Sequence, residues 1–344
     1  MLQRLTRRRT DPVPGRFASS REFRPLFKAV GQQTKLLDYL RFLIGFLTLT
    51  FCAPFLNAQQ HVPEPAVNLG DTSLLDGLGM PGVMTETIAD AQRSSEIVDG
   101  SGHKVPGTGQ VNSILSLSHV AWLSDYRLLG GWYGAELLVP VAHVNAGPGV
   151  TAGGFGDLVV APFIVQWPQR EVGPVAIDQR LDCDFWLPSG EYAPHAGINI
   201  SSHTLMVNPN YAVTLFPLRR LETSWRFHYL WSSTNRSPPQ SFGARSTQAG
   251  QAVHFNATLS YEVSRHLWIG GNGYFLKQIT DPQINDIDIP NSPEQVGAIG
   301  PGMLWNHREW FLYVNAYHEL GAENRPTGSK IVLRLEKVFG KRNT

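Results

Sequence analysis

A one-residue alternation of apolar and polar side chains recurs along this chain behind a single N-terminal apolar stretch. In residues 253–263, Val253, Phe255, Ala257, Leu259, Tyr261 and Val263 share one face, while His254, Asn256, Thr258, Ser260 and Glu262 share the other. Successive strand residues point to opposite faces, so the run predicts a strand with one apolar and one wet side. Residues 223–232 repeat the pattern, with Thr223, Trp225, Phe227, Tyr229 and Trp231 set against Ser224, Arg226, His228 and Ser232. Residues 177–187 set Ile177, Leu181, Cys183, Phe185 and Leu187 against Asp178, Arg180, Asp182, Asp184 and Trp186. Large rings on an outer face suit lipid, and three acids and an arginine on the other face require water or ion pairing.

Counted between turns rich in Gly, Pro, Asn and Asp, such segments predict strands at 82–98, 109–122, 127–142, 154–167, 174–187 and 201–216. Six more are predicted at 221–234, 249–263, 266–280, 295–306, 309–321 and 328–339. The first is the most polar, carrying Asp90, Gln92, Arg93 and Glu96. Most exceed the roughly 9–11 residues that a tilted strand needs to cross a bilayer. No helical periodicity of useful length follows residue 58. An even number of long strands with aromatic outer faces predicts an all-β fold, a transmembrane antiparallel up-and-down β-barrel of about twelve strands of the Gram-negative outer-membrane type. The competing fold is a soluble sandwich. Trp122, Trp132, Trp225, Trp231, Trp268, Trp305 and Trp310, near segment ends or on apolar faces, favour the two membrane interfaces.

The N-terminus predicts export. Phe42 to Phe51 is an apolar run too short to span a membrane as a helix, with Lys35 and Arg41 ahead of it and Asn57-Ala58 behind. This is the layout of a secretory signal peptide cut after Ala58. Residues 1–34, with Arg7, Arg8 and Arg9 far from the apolar run, read as an extension ahead of it. Phe51 before Cys52 argues against lipidation. The expected organisation is 1–58 extension and signal (apolar core about 42–56), 59–81 a periplasmic N-terminal segment or plug, 82–339 the barrel and 340–344 a tail. Of 29 basic and 28 acidic residues, the first 58 hold ten and three, leaving 19 against 25 and a net charge of −6. That balance gives no sign of a nucleic-acid partner. Cys183 alone remains after the cut, so no internal disulfide is expected.

In the last predicted strand Ile331, Leu333, Leu335 and Phe339 alternate with Val332, Arg334, Glu336 and Val338. Phe339 resembles the terminal aromatic that barrel assembly machinery reads, and Lys337 falls on the lipid-side register, where its stem must snorkel.

A series of short motifs resembles one family. The stretches are Met80-Pro81-Gly82, Leu128-Leu129-Gly130-Gly131, Gly154-Phe155-Gly156-Asp157-Leu158 and Leu187-Pro188-Ser189-Gly190-Glu191-Tyr192. Gly270 through Gln278 with Thr280 and Asp281, then Gly297, Gly300 and Pro301, and finally Asn324, Arg325 and Gly328, complete it. In this order, over about residues 75–339, they resemble the MetA-pathway of phenol degradation family, also called SphA-like. The resemblance implies an outer-membrane barrel that takes up small hydrophobic or aromatic compounds passively. Turn chemistry alone accounts for many of the motifs, as at Pro188 and Gly190. Gly270, Gly271 and Gly273 lie within a strand with no helix behind them, so they are no phosphate-binding loop.

No catalytic, cofactor or metal residue is assigned. His254 and Ser260 share a face but stand six residues apart, roughly 20 Å along a strand, too far for a dyad. Asp281, Asn285, Asp286 and Asp288 make an oxygen-rich loop without the order of a calcium-binding loop. The predicted lumen-facing set is Asp178, Arg180, Asp182, Asp184, Arg226, His228, Glu262, Arg334 and Glu336. These charges fit either a solute path or a filled interior. The function expected is a channel whose partners are outer-membrane lipid, the assembly machinery and a small hydrophobic solute. The alternatives are a structural or interaction barrel with a filled interior, and an outer-membrane lipase or deacylase.

Overall fold

The computed structural model describes residues 61–339. The expected signal sequence, Cys52, the cut after Ala58 and the tail beyond Phe339 lie outside the described residues. The strands are β1 (Gly82–Val98), β2 (Val111–Leu128), β3 (Gly131–Asn145), β4 (Thr151–Phe155), β5 (Leu158–Val172), β6 (Val175–Leu187), β7 (Met206–Leu218) and β8 (Leu221–Ser232). They continue as β9 (Thr247–Gln248), β10 (Ala252–Ser264), β11 (Leu267–Gln278), β12 (Gln283–Ile284), β13 (Ile287–Asp288), β14 (Gln295–His307), β15 (Trp310–Glu323) and β16 (Arg325–Phe339).

Twelve of these are long, and each pairs antiparallel with its long neighbours. The ring closes where β1 meets β16, with Ile88 opposite Arg334 and Met84 opposite Val338. Closure leaves no unpaired edge, which is what allows a sheet to stand in lipid. The short β4 folds back on the far end of β3, and β9, β12 and β13 form a small separate ribbon among the loops. In that ribbon region the Asn285 side-chain Oδ1 accepts the Arg245 and Ser246 amides, and the Asp288 carboxylate accepts from Gln283, so loop structure employs these oxygens.

The two ends differ. One carries tight turns at 129–130, 173–174, 219–220, 265–266 and 308–309, together with the start of β1 and the end of β16. The other carries longer connections at 99–110, 188–205, 233–251 and 279–294. Short turns mark the periplasmic end of outer-membrane barrels, long loops the outside. Residues 235–248, with Pro238, Pro239 and Gly243, lie in one of the long loops. In another, the Asp99 carboxylate accepts the His103 and Ser101 amides, which hold it below the usual carboxylate range.

The boundary expected between the second and third strands shifts. Residues 123–126 fall between two predicted strands, yet β2 continues through them across a register shift between Leu123 and Arg127, and the chain reverses at Leu129 and Gly130. Both reversal residues hold positive φ, 51° and 81°. Ser124 is buried and donates to the Tyr133 carbonyl, so its polarity is used inside the strand pairing and does not mark a turn. Likewise residues 151–155 belong to the folded-back β4, and the main strand resumes at Leu158.

The alternation maps onto lipid and lumen. On β16, Ile331, Leu333 and Leu335 are about half exposed while Val332 and Arg334 are buried. Trp122, Trp305, Trp310 and Phe339 stand on the outside at the short-turn rim. Lys337 lies over the Trp310 and Phe339 rings, 4.8 and 4.6 Å from their centroids, so its charge rests in the aromatic girdle. Trp268 departs from its expected outer position. It is buried inside with Leu74, Leu304 and Tyr313, because even-numbered positions of β11 face the lumen.

Leu333 lies near the middle of β16 on the outer face. Leu333→Arg is expected to destabilise the barrel by about 2–4 kcal/mol, measured by denaturant unfolding in lipid vesicles. A polar change at exposed Arg265, in a short turn, should shift the same transition far less.

Candidate functional site

The lumen is the candidate site. The N-terminal segment passes through it lengthwise and shapes it. At the long-loop end His61 donates to the Ser292 carbonyl (3.1 Å) and lies 3.0 Å from Glu294, and Glu64 accepts from Gln278. Midway, the Asn256 amide accepts from Gly70 N and donates to the Asn68 carbonyl and Thr72. Lys330 and the Tyr317 hydroxyl donate to the Leu69 and Gly70 carbonyls. Lower down, Gly77 donates to Thr214 and its carbonyl accepts from Gln166. A chain with no strand partner must satisfy its backbone through side chains, and inward Asn, Thr, Gln, Tyr and Lys do so here.

Two glycines let the segment lie close to the wall. Gly70 holds φ +74°, and a Cβ there would come within 2.8 Å of the Tyr317 ring. A Cβ on Gly77 would stand 2.6 Å from the Thr214 backbone nitrogen. Between them Leu74, 1% exposed, packs with Trp268, Leu304 and Tyr313 and anchors the segment by apolar burial.

A charged belt crosses the middle of the lumen. Arg226 grips Asp76 of the segment with two nitrogens, at 2.7 and 3.0 Å, and reaches Asp182 at 3.4 Å. Arg180 lies 3.0 Å from Asp182 and 3.8 Å from Asp76. Across the lumen Arg334 donates to Glu86 at 2.7 Å, lies 4.0 Å from Glu336 and stacks over Tyr313. His119 bridges Glu86 (3.0 Å) and Glu136 (3.2 Å). Nearer the long loops, Lys330 pairs with Asp90 and Asp71.

Beside the segment remains a cavity of 490 Å³. Its lining runs from Ala142, Asp157 and Ser202 near the long loops to Arg308, Glu309 and Val338 at the short-turn rim. Leu117, Leu138, Pro140, Val159 and Trp186 form an apolar stretch above the belt, and Leu78, Met84, Leu123 and Phe311 form another below it. The path is therefore apolar, then charged, then apolar.

Of the residues expected in the lumen, Arg180, Asp184, Arg226, Arg334 and Glu336 line this cavity, and Asp182 sits behind the two arginines. Asp178 accepts from Gln169 and is buried away from the cavity. His228 is buried and stacks on His254 with ring centroids 3.8 Å apart. Glu262 follows the inward register but stands at the short-turn rim, 4.0 Å from Arg220. Ser260, on the His254 face, donates to Glu222 at 2.6 Å. Glu86, His119 and Glu136 join the belt although the sequence did not single them out as lumen-facing. Their alternation with apolar neighbours was the available signal. Asp76 carried none, since its segment has no periodicity.

The sequence pattern of the family described as MetA-pathway of phenol degradation matches residues 94–335. No curated protein matches the chain. Among solved structures, an outer membrane channel from Pseudomonas putida F1 superposes with a TM-score of 0.66 at 14% identity, covering 76% of this chain and 97% of that one. The beta domain of the Bordetella autotransporter BrkA gives 0.43 at 11% identity, over 75% and 99%. A deletion mutant of the TodX monoaromatic hydrocarbon channel gives 0.41 at 8%, over 76% and 92%. The first likeness establishes a shared barrel fold.

Gly70→Val places two methyl groups against the Tyr317 and Tyr274 rings at a backbone conformation that valine rarely adopts. It is expected to release the segment from the wall. Limited proteolysis read by mass spectrometry should then show new cleavage within residues 61–80 while the strands stay resistant.

Proposed function

The chain belongs to the family described as MetA-pathway of phenol degradation, and from that premise we propose that it is an outer-membrane channel for passive uptake of small hydrophobic or aromatic compounds. The observation that carries this reading is the cavity whose lining reaches both ends of the barrel beside the N-terminal segment. Apolar walls above and below the belt let a small apolar molecule shed water on entry and exit, at roughly 25 cal/mol per Å² of apolar surface covered. The belt sets the barrier between them. Its paired charges hold one another, so a neutral solute passes without competing for an unpaired ion.

The fold and family place the protein in the outer membrane, and we infer that its apolar outer face meets lipid there. We infer further that the strand ending at Phe339 is read by the barrel assembly machinery, since its last aromatic stands exposed at the short-turn rim. One observation favours a second reading, a barrel with a filled interior. The segment 61–80 is held by side chains from several strands, as a permanent plug would be. Movement of solute decides between the two. The lipase reading has less support, because Ser260, on the face of His254, is bonded to Glu222.

The test is conductance in planar bilayers together with swelling of vesicles in small aromatic solutes. A channel should conduct and admit the solute, and Arg226→Glu or Arg334→Glu should raise preference for cations over anions by several-fold. A silent barrel that admits no aromatic solute, with variants that only lose stability, would leave the filled-interior reading standing. A heat-dependent gel shift verifies that each variant is a closed barrel.

A further inference from the structure

We infer that Glu336 is a selectivity residue of the lumen, where it favours small apolar solutes that carry a neutral hydroxyl group over pure hydrocarbons. The inference deepens the channel reading, and it rests on that reading for how the solute reaches the site.

Glu336 is the belt acid most open to the cavity. Its side chain is 15% exposed, against 8% for Glu136, 6% for Asp76, 3% for Glu86 and 0% for Asp182. Its neighbours engage one oxygen only. Oε2 accepts from the Tyr313 hydroxyl at 3.5 Å and lies 4.0 Å from Arg334. Oε1 has no hydrogen-bond or ion-pair partner among the described residues. The Oδ1 atoms of Asp182 and Asp184 also lack partners, but packing seals them, whereas Oε1 of Glu336 stays open to the cavity that its residue lines.

Register puts that oxygen at the border between the belt and the lower apolar chamber. β16 turns Arg334, Glu336 and Val338 into the lumen in succession toward the short-turn rim. Phe311 of β15 stands directly opposite Glu336, and Met84 of β1 opposite Val338. Leu78 and Leu123 continue the apolar wall. A solute whose body lies among these side chains can set one polar group against Oε1. The surroundings specify that group. An anion meets both Glu336 and Glu86, which pair in register across the β1–β16 seam, and a cation meets Arg334. A neutral hydroxyl avoids both. It donates and accepts, so it bonds to the carboxyl group whether that group is ionised or protonated. A hydrocarbon displaces water from Oε1 and leaves it unpaired, a cost that a hydroxyl removes.

The test is calorimetric binding of benzyl alcohol and toluene to the purified barrel in detergent, each corrected for uptake by the same micelles without protein. Glu336→Met removes the oxygens and leaves Arg334 its Glu86 partner at 2.7 Å. It should weaken benzyl alcohol binding about ten-fold, as expected for a hydrogen bond to a charged group, and leave toluene binding unchanged or tighter. Glu336→Gln keeps a donor and an acceptor and should retain most of the alcohol affinity. A heat-dependent gel shift verifies that each variant is a closed barrel. No alcohol binding by the unaltered protein, an alcohol affinity that Glu336→Met leaves intact, or a loss that toluene shares equally overturns the role. A second measurement needs no variant. Anomalous diffraction from crystals of the unaltered protein soaked in 4-bromobenzyl alcohol should place the bromine near Phe311, Met84 and Leu123 with the hydroxyl on Glu336, and bromine elsewhere or absent overturns the site. Benzyl alcohol entry into vesicles is measured in parallel. No entry with the Glu336-dependent alcohol affinity intact refutes the channel and spares the role, while entry with Glu336→Met without effect on binding does the reverse.

Discussion

Closure of the strand ladder between β1 and β16 is the constraint on which the molecule depends. In lipid an unpaired backbone group costs several kcal/mol, so a sheet with apolar outer faces survives there only as a ring. Fifteen register positions join the two strands, from Val83 opposite Phe339 to Val98 opposite Arg325. This pairing forces both ends of the barrel sequence to the short-turn rim and commits the inner face of every strand to one shared lumen. β1 is polar on that inner face, so its acids Glu86 and Asp90 land beside Arg334 and Lys330 of β16. The seam of the barrel is thus joined by ion pairs as well as by backbone hydrogen bonds.

A lumen of twelve strands must then be filled or wetted. Here much of it is filled by a stretch of the same chain that has no regular structure. The segment is tolerated because the wall supplies donors and acceptors at the right heights, with Asn256, Thr214, Gln166, Tyr317 and Lys330 acting where a partner strand would otherwise act. It also supplies Asp76, which neutralises arginines that the wall alone would leave short of partners. Removing either arginine or acid from such a buried set is far more damaging than replacing the set with apolar groups would be.

The belt divides one path into two apolar chambers. Charge pairing among Asp76, Glu86, Glu136, Asp182, Glu336, three arginines and His119 is dense enough that a neutral solute meets fixed dipoles rather than free ions. Asp184, on the same wall, is buried and accepts from the Asn208 and Asn210 amides.

By itself the sequence determined the strand count, the apolar outer faces of β8, β10 and β16, and the turn-rich reversals, because a period of two writes itself directly into residue order. Boundaries slipped where polarity and structure part company, as at residues 123–126, where β2 continues through an expected turn. Trp268 was misread because an indole on either face of a strand looks the same in the sequence. The course of residues 61–80, the role of Asp76 and the pairing of the belt charges were decided only in three dimensions. They rest on contacts between residues more than a hundred positions apart, such as Asp76 with Arg226, and no local pattern records which charge across a closed lumen will find which partner.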